Sequence, residues 1–207
     1  MAVWLRWPSG SSGFDGGIHL WRAFAARFGV IKALRRSYAA SPVSEGESEM
    51  KDSVAYCGLF CESCGVYIAT QNKDDKELER IAQKMKTKKE DIPCEGCRSK
   101  ILSLHCRSCR YRECAQNKEI DNCEECHDFP CDELREFQGQ MPHRAELFES
   151  ARFRKEKGVT QWLEKMKEDY SCESCGFINS PYYIICKKCG NDPGNKFIRR
   201  NISLLKR

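Results

Sequence analysis

Cys-x2-Cys pairs recur through this chain, three of them between Cys94 and Cys126, and two more close the sequence at Cys172/Cys175 and Cys186/Cys189. A Cys-x2-Cys turn sets two thiolates on one side of a tight loop at the separation a tetrahedral ion requires. Together with a thin apolar composition, these pairs predict a small metal-stabilised α+β protein. It is expected to have a cysteine-rich irregular core with helices, a helical connector and a C-terminal zinc ribbon. The boundaries read as a disordered or basic amphipathic extension over 1–49, a cysteine-rich metal-binding domain over 50–140 and a connector over 141–170. The ribbon follows over 171–194 and a basic tail over 195–207.

The apolar fraction is 41%, fifteen cysteines included, against 31% charged residues in 207. That is lean for a core built on oily side chains alone. Binding energy for a structural ion becomes folding energy, so ligation replaces part of the missing burial. Fifteen is odd, and the first residues lack a basic start followed by a long apolar run. A disulfide framework is therefore not expected; reduced, metal-bound thiolates and a cytoplasmic location are.

Residues 1–49 contain no cysteine and are rich in Gly and Ser over 9–17. Leu20, Trp21, Phe24, Phe28, Ile31 and Leu34 recur at helical spacing among Arg22, Arg27, Lys32, Arg35 and Arg36. The segment is too charged and interrupted to span a membrane, and no transmembrane segment is expected. Three readings stand: an organellar transit peptide processed near Arg36-Ser37-Tyr38-Ala39, a membrane-surface helix, or an unstructured extension ahead of a true start at Met50.

Cys57, Cys61 and Cys64 follow in a Cys-x3-Cys-x2-Cys array. Radical S-adenosylmethionine enzymes use that spacing, but they need a long barrel of alternating strands and helices after it, and no such pattern follows. Three thiolates completed by a fourth ligand from elsewhere is the simpler expectation. Asp74 and Asp75 then open a helix with Leu78, Ile81, Ala82 and Met85 on one face and lysines toward its end, as the helix dipole favours.

The densest stretch holds Cys94 and Cys97, then Cys106, Cys109 and Cys114, then Cys123, Cys126 and Cys131. The last two groups are a repeat of Cys-x2-Cys-x4-Cys. Eleven thiols from Cys57 to Cys131 plus one histidine, His105 or His127, would fill three four-coordinate sites; two sites with spare thiols is the conservative count. Zinc suits these ligands. An iron–sulfur cluster is the alternative, although the spacing does not match the bacterial ferredoxin run, since Pro130 precedes Cys131.

Residues 132–170 read as helix, broken near Gly139–Pro142 and again at Gly158, with Leu147, Phe148, Ala151, Val159, Trp162, Leu163 and Met166 supplying apolar positions. Beyond them, Cys172, Cys175, Cys186 and Cys189 form two knuckles, each pair followed by a glycine that permits positive φ. Phe177, Ile178 and Tyr182 to Ile185 are expected to make two short strands around Asn179-Ser180-Pro181. Lys187, Lys188, Lys196, Arg199, Arg200, Lys206 and Arg207 face only Glu173 and Asp192 in this terminal part. With Tyr182 and Tyr183 they offer a surface for an acidic partner, protein or nucleic acid.

The run Tyr56-Cys57-Gly58-Leu59-Phe60-Cys61-x2-Cys64, then Cys94-x-Gly96-Cys97, the two Cys-x2-Cys-x4-Cys groups with Asp128-Phe129-Pro130-Cys131, and Gly158-Val159-x2-Trp162-Leu163 before a ribbon resemble the domain-of-unknown-function 3795 family. The resemblance covers about residues 54–190 and implies metal binding, with zinc as the expected ion; it carries no activity. Gly65 stands where many relatives have proline.

No nucleophilic triad, phosphate loop or zinc-deaminase signature is present, and the thiols suffice to close every site with protein ligands. The expected function is a structural zinc-binding protein acting as a binding or adaptor module, not an enzyme. Two alternatives are an iron–sulfur or thiol redox protein built on Cys57, Cys61 and Cys64, and nucleic-acid binding through the basic ribbon.

Overall fold

A computed structural model describes residues 52–206. The extension over 1–49, with its three readings, lies outside the described residues. The chain after it is mostly helical. Among the described residues, pairing of extended backbone is confined to isolated antiparallel bridges, Val54 with Phe60 and Ser171 with Ile178.

The chain first doubles back through Ala55 to Leu59, where the Ala55 amide donates to the Leu59 carbonyl at 2.9 Å and the Cys61 amide to Ser53 at 2.9 Å. This fold-back presents Cys57 at its turn and sinks Phe60 into the core, 5% exposed. Helix α1, Gly65–Gln71, begins directly after Cys64. Helix α2, Asp75–Met85, starts where the sequence places a cap: the Asp74 carboxylate accepts from the Glu77 amide at 3.0 Å. It ends at Lys86 in the left-handed region. Leu78 and Ala82 of α2 pack with Ala69 of α1 and with Ile92 in a small apolar cluster.

Two short helices, α3 (Leu104–Arg107) and α4 (Arg110–Asn117), carry the middle cysteines. Helix α5, Asp132–Gln140, follows Cys131 and buries Leu134. Helix α6, Leu147–Tyr170, is kinked at Gly158, whose φ of 83° is outside helical space. The breaks near Gly139–Pro142 and at Gly158 thus fall where the sequence puts them.

The larger apolar cluster joins the two ends of the described chain. Val54 and Phe60 meet Trp162, Leu163, Met166 and Tyr170 of α6 and Phe197 of the last helix. Phe60 lies edge-on to Trp162 at 5.8 Å between ring centroids, and Tyr170 stacks on Phe197 at 5.1 Å. The polar residues around this cluster are paired: Arg154, 5% exposed, clasps Glu124, sits over the Trp162 ring at 4.7 Å and reaches the Gly58 carbonyl.

Two expectations differ from what is seen at the C-terminal end. Residues 195–207 were expected as a basic tail, yet Lys196–Leu205 is helix α7, capped by Asn195, whose side chain accepts from the Ile198 amide at 2.9 Å. Phe197 and Ile198 are fully buried. The two strands expected around Asn179-Ser180-Pro181 are replaced by an irregular loop, so the chain is helical where α+β was expected. The reason is the buried Asn179 side chain. Its amide donates to the carbonyls of Phe177 and Gly194, each at 3.1 Å, and its oxygen accepts from the Lys187 amide at 3.1 Å. Those bonds satisfy backbone groups that a strand ladder would otherwise pair.

Candidate metal centre

All fifteen cysteines are free thiols. The four at the C-terminal end are the best-formed group: the ligand atoms of Cys172, Cys175, Cys186 and Cys189 all lie within 4.8 Å of one another. The Cys172–Cys189 sulfur separation is 3.6 Å and Cys175–Cys186 is 3.7 Å. Four sulfurs at about 2.3 Å from a tetrahedral zinc ion are about 3.8 Å apart. These edges fit such an ion and are far too long for disulfides.

The chain around those sulfurs is built to hold thiolates. Gly176 and Gly190 take φ of 69° and 78°, the knuckle turn their positions predict. The Ser174 amide donates to Cys172 and the Asn179 side chain to Cys186, at 3.4 and 3.3 Å. Burial works to raise the Cys186 thiol, but Asn179 and the amides of Cys189 and Lys188 bring it down to about 6. Hydrogen bonds to the charged form favour it. Asn179 is the site residue that the sequence pattern missed, because it was read as part of a turn between strands.

The eleven earlier thiols fall into neighbourhoods that cut across the Cys-x2-Cys pairs. Burial first, then Cys97, Cys109 and Cys123, pushes the Cys57 thiol up to about 12, and burial with Cys97 and Cys57 holds Cys61 well above its ordinary value. Cys97 in turn has Cys109 beside it. Cys57, Cys61, Cys97 and Cys109 thus share one neighbourhood, with Cys64 beside Cys61 and Cys123 beside Cys57 at its borders. A second contains Cys64, Cys94 and Cys106: Cys94 is brought down to about 6, mainly by the hydrogen bond from Cys106, and Cys64 neighbours both. The third gathers Cys123 with Cys114, Cys131 and Cys126, and there burial pushes Cys123 up to about 12. Cys94 thus turns to Cys106 while its pair-mate Cys97 has Cys109 beside it.

Buried thiols pressed against one another resist ionisation on their own, and a bound dication reverses that by neutralising their charge. Backbone amides already point at many of these sulfurs, from Leu59 to Cys57, from Val66 and Tyr67 to Cys64, and from Gly96 and Ser103 to Cys94. The third set lines a cavity of about 660 Å³ beside Phe129 and Pro130. Lys118 Nζ stands 3.1 Å from Cys126 Sγ and 3.1 Å from Asp128, whose other oxygen is 2.9 Å from His127 Nε2. Cys126, His127 and Asp128 also bring their ligand atoms within 4.8 Å of one another. His105 is exposed on α3 beside Cys106.

Four of the basic residues singled out near the C-terminus are drawn into ion pairs within the fold. Lys187 meets Glu77 at 3.2 Å, and Arg200 meets Glu146 and Asp169 at 2.9 Å each. Arg199 pairs with Glu173, and Lys196 with Glu168 at 2.5 Å. Tyr183 donates to Glu77 and Tyr182 is bonded to His143. Among the described residues, no helix is long and apolar enough to cross a membrane.

Residues 53–136 match the model of a family described as protein of unknown function (DUF3795). That span holds the first eleven cysteines and stops short of the C-terminal four. No curated protein and no solved structure matches the chain.

Proposed function

We propose, from the premise that residues 53–136 belong to that family of unknown function, that the chain is a structural zinc-binding protein serving as a binding or adaptor module. The observation that carries this reading is the C-terminal group, whose sulfur separations of 3.6 and 3.7 Å suit a single tetrahedral ion. On this reading Cys172, Cys175, Cys186 and Cys189 make a closed site of the zinc-ribbon kind, although the paired strands of a ribbon are replaced by the Asn179 loop. Cys57, Cys61, Cys97 and Cys109 make a second four-thiolate site, and Cys114, Cys123, Cys126 and Cys131 a third. Cys64, Cys94 and Cys106 hold a further ion.

Four thiolates leave no position for a substrate or a water molecule, which is the condition of a structural site and not of a catalytic one. Zinc needs no redox partner and tolerates the all-sulfur donor set. Thiolates that would repel one another when buried become a source of folding free energy once an ion is bound. An adaptor role follows because rigid, ion-fixed loops present a surface of fixed shape.

The reading favours a protein partner over nucleic acid. Lys187, Lys196, Arg199 and Arg200 are each within reach of a carboxylate, which reduces the charge they can offer to phosphates. Elemental analysis together with a visible absorbance spectrum on anaerobically purified protein is the test. Colourless protein carrying zinc supports the reading. Brown protein with iron and visible charge-transfer absorption would replace it with the iron–sulfur alternative.

A further inference from the structure

Lys118 closes helix α4, and its amide donates to the Cys114 carbonyl at 3.0 Å. Its side chain crosses to the next cysteine loop, where Nζ donates to Cys126 Sγ at 3.1 Å and to Asp128 Oδ2 at 3.1 Å. The other Asp128 oxygen meets His127 Nε2 at 2.9 Å. Cys114, Cys123, Cys126 and Cys131 line one cavity of about 660 Å³, and Lys118 and Asp128 line it with them. Resting on the reading of these four thiols as ligands of one ion, we infer that Lys118 is a positioning residue of that site. Its ammonium fixes the Cys126 thiolate and draws charge from the sulfur, while Asp128 fixes the ammonium.

A surface ion pair alone would account for Lys118 and Asp128, but not for the sulfur. The ammonium stands as near to Cys126 Sγ as to the carboxylate, although sulfur is the larger atom. Four thiolates around a dication leave negative charge in excess. A hydrogen bond to the charged form of a group favours that form, and a charged donor makes the bond roughly twice as strong. The C-terminal group carries the neutral version of this device, with the fully buried Asn179 amide donating to Cys186 Sγ at 3.3 Å. Lys118 and Asp128 are half-exposed, with side chains 42% and 48% accessible. Water competes with a neutral donor at such a place, and an ammonium steered by a carboxylate competes better.

Lys118 also joins the two stretches that supply the ligands. Its backbone belongs to the helix that carries Cys114, and its side chain reaches the loop that carries Cys123 and Cys126. Removing the ammonium therefore loosens one ligand and raises the electron density on its sulfur. Partners of this kind, one step out from the metal, are worth about 10–100-fold in affinity.

The test uses the full chain, kept reduced and loaded with zinc or with cobalt(II). Cys126→Ala identifies the ion concerned, by the loss of one equivalent. Lys118→Met keeps a long unbranched side chain but removes the donor and the charge, whereas Lys118→Arg keeps both. In chelator competition Lys118→Met should hold that ion at least about tenfold more weakly than wild type, with the remaining ions unaffected. With cobalt(II), the sulfur-to-metal charge-transfer band should move to longer wavelength, because a sulfur without its N–H donor gives up electrons more readily. Iodoacetamide should alkylate Cys126 faster for the same reason. Lys118→Arg should restore all three readouts. Equal or tighter binding in Lys118→Met would overturn the inference, showing the ammonium to be a bystander or a competitor for the sulfur. Weaker binding with an unmoved band and no recovery in Lys118→Arg would overturn it too, since the lysine would then act through packing alone. If Cys126→Ala keeps every ion, the reading on which the inference rests falls, and the inference with it.

Discussion

The phenol of Tyr183 donates a 2.9 Å hydrogen bond to the carboxylate of Glu77, tying the loop between the last two cysteine pairs to helix α2. Lys187 reaches the same carboxylate at 3.2 Å, and Arg80 grips it from the next turn of the helix at 2.6 and 2.8 Å. The side chain is 9% exposed, so this is a buried charge with three partners from two parts of the chain. Arg80 first, then Tyr183 and Lys187, hold the Glu77 carboxyl down to about 2, against burial, from an ordinary value of 4.5.

A folded value below the unfolded one means that the contribution is complete above pH 4.5 and is lost as pH falls from there through about 2. Glu77→Gln should therefore destabilise the metal-loaded protein at pH 7 by about 1–3 kcal/mol in denaturant unfolding. The loss should be the same at about pH 5.5 as at pH 7, since both lie above the range in which the carboxylate takes up its proton. No loss at pH 7 would count against the latch.

Arg154 and Glu124 make an ion pair buried on both sides, with side chains 5% and 10% exposed. Removing one partner strands a charge, so Arg154→Met or Glu124→Gln alone should cost about 3–5 kcal/mol. The double substitution should recover a large part of that loss, since no charge is left unpaired. Strictly additive losses in the double-mutant cycle would show that Arg154 acts only through its packing on Trp162.

How far the sequence discloses this architecture depends on whether the cause is local. The start of α2 at Asp74 and the breaks near Gly139–Pro142 and at Gly158 are decided within a few residues, and they are legible in the sequence. The inward face of α6 at Trp162, Leu163 and Met166 was legible from its period. The Lys196–Leu205 helix was not, because Phe197 and Ile198 reveal their burial only against Tyr170 and the front of the chain. The missing ribbon strands have the same origin, since Asn179 and Asn195 bond backbone groups distant in sequence. The cysteines stand out in the sequence as candidate ligands, but which of them lie near one another does not. Adjacent pairs look like units, yet Cys94 turns to Cys106 while its pair-mate Cys97 lies beside Cys109.

Asn179 offers a direct check on the C-terminal site. Asn179→Ala removes the donor to Cys186 and leaves the Lys187 amide and the Gly194 carbonyl without their partner. Each stranded group costs about 1–3 kcal/mol. The last four cysteines should hold their ion at least about tenfold more weakly in chelator competition, every 1.4 kcal/mol being tenfold. The other sites should keep theirs. Unchanged competition would mean that the Asn179 loop is incidental to the site.

Phe60 sits between Cys57 and Cys61 and packs on both Trp162 and Tyr170 at 5.8 Å. Phe60→Ala should cost about 3–5 kcal/mol in unfolding of the metal-loaded protein. It should also speed metal loss from the set containing those two cysteines, because the ring buttresses the turn that carries them. Phe60→Leu should restore most of both. A stability loss with no change in the rate of metal release would separate the apolar core from the site.

The central claim is that bound ions, more than apolar burial, make this chain compact. It is tested most directly by stripping the metal with a strong chelator under reducing conditions and following far-UV circular dichroism and amide hydrogen exchange. Loss of the cooperative fold, restored when zinc is returned, is the predicted result. A protein that keeps its helices and its protected amides with all fifteen thiols free would contradict the account.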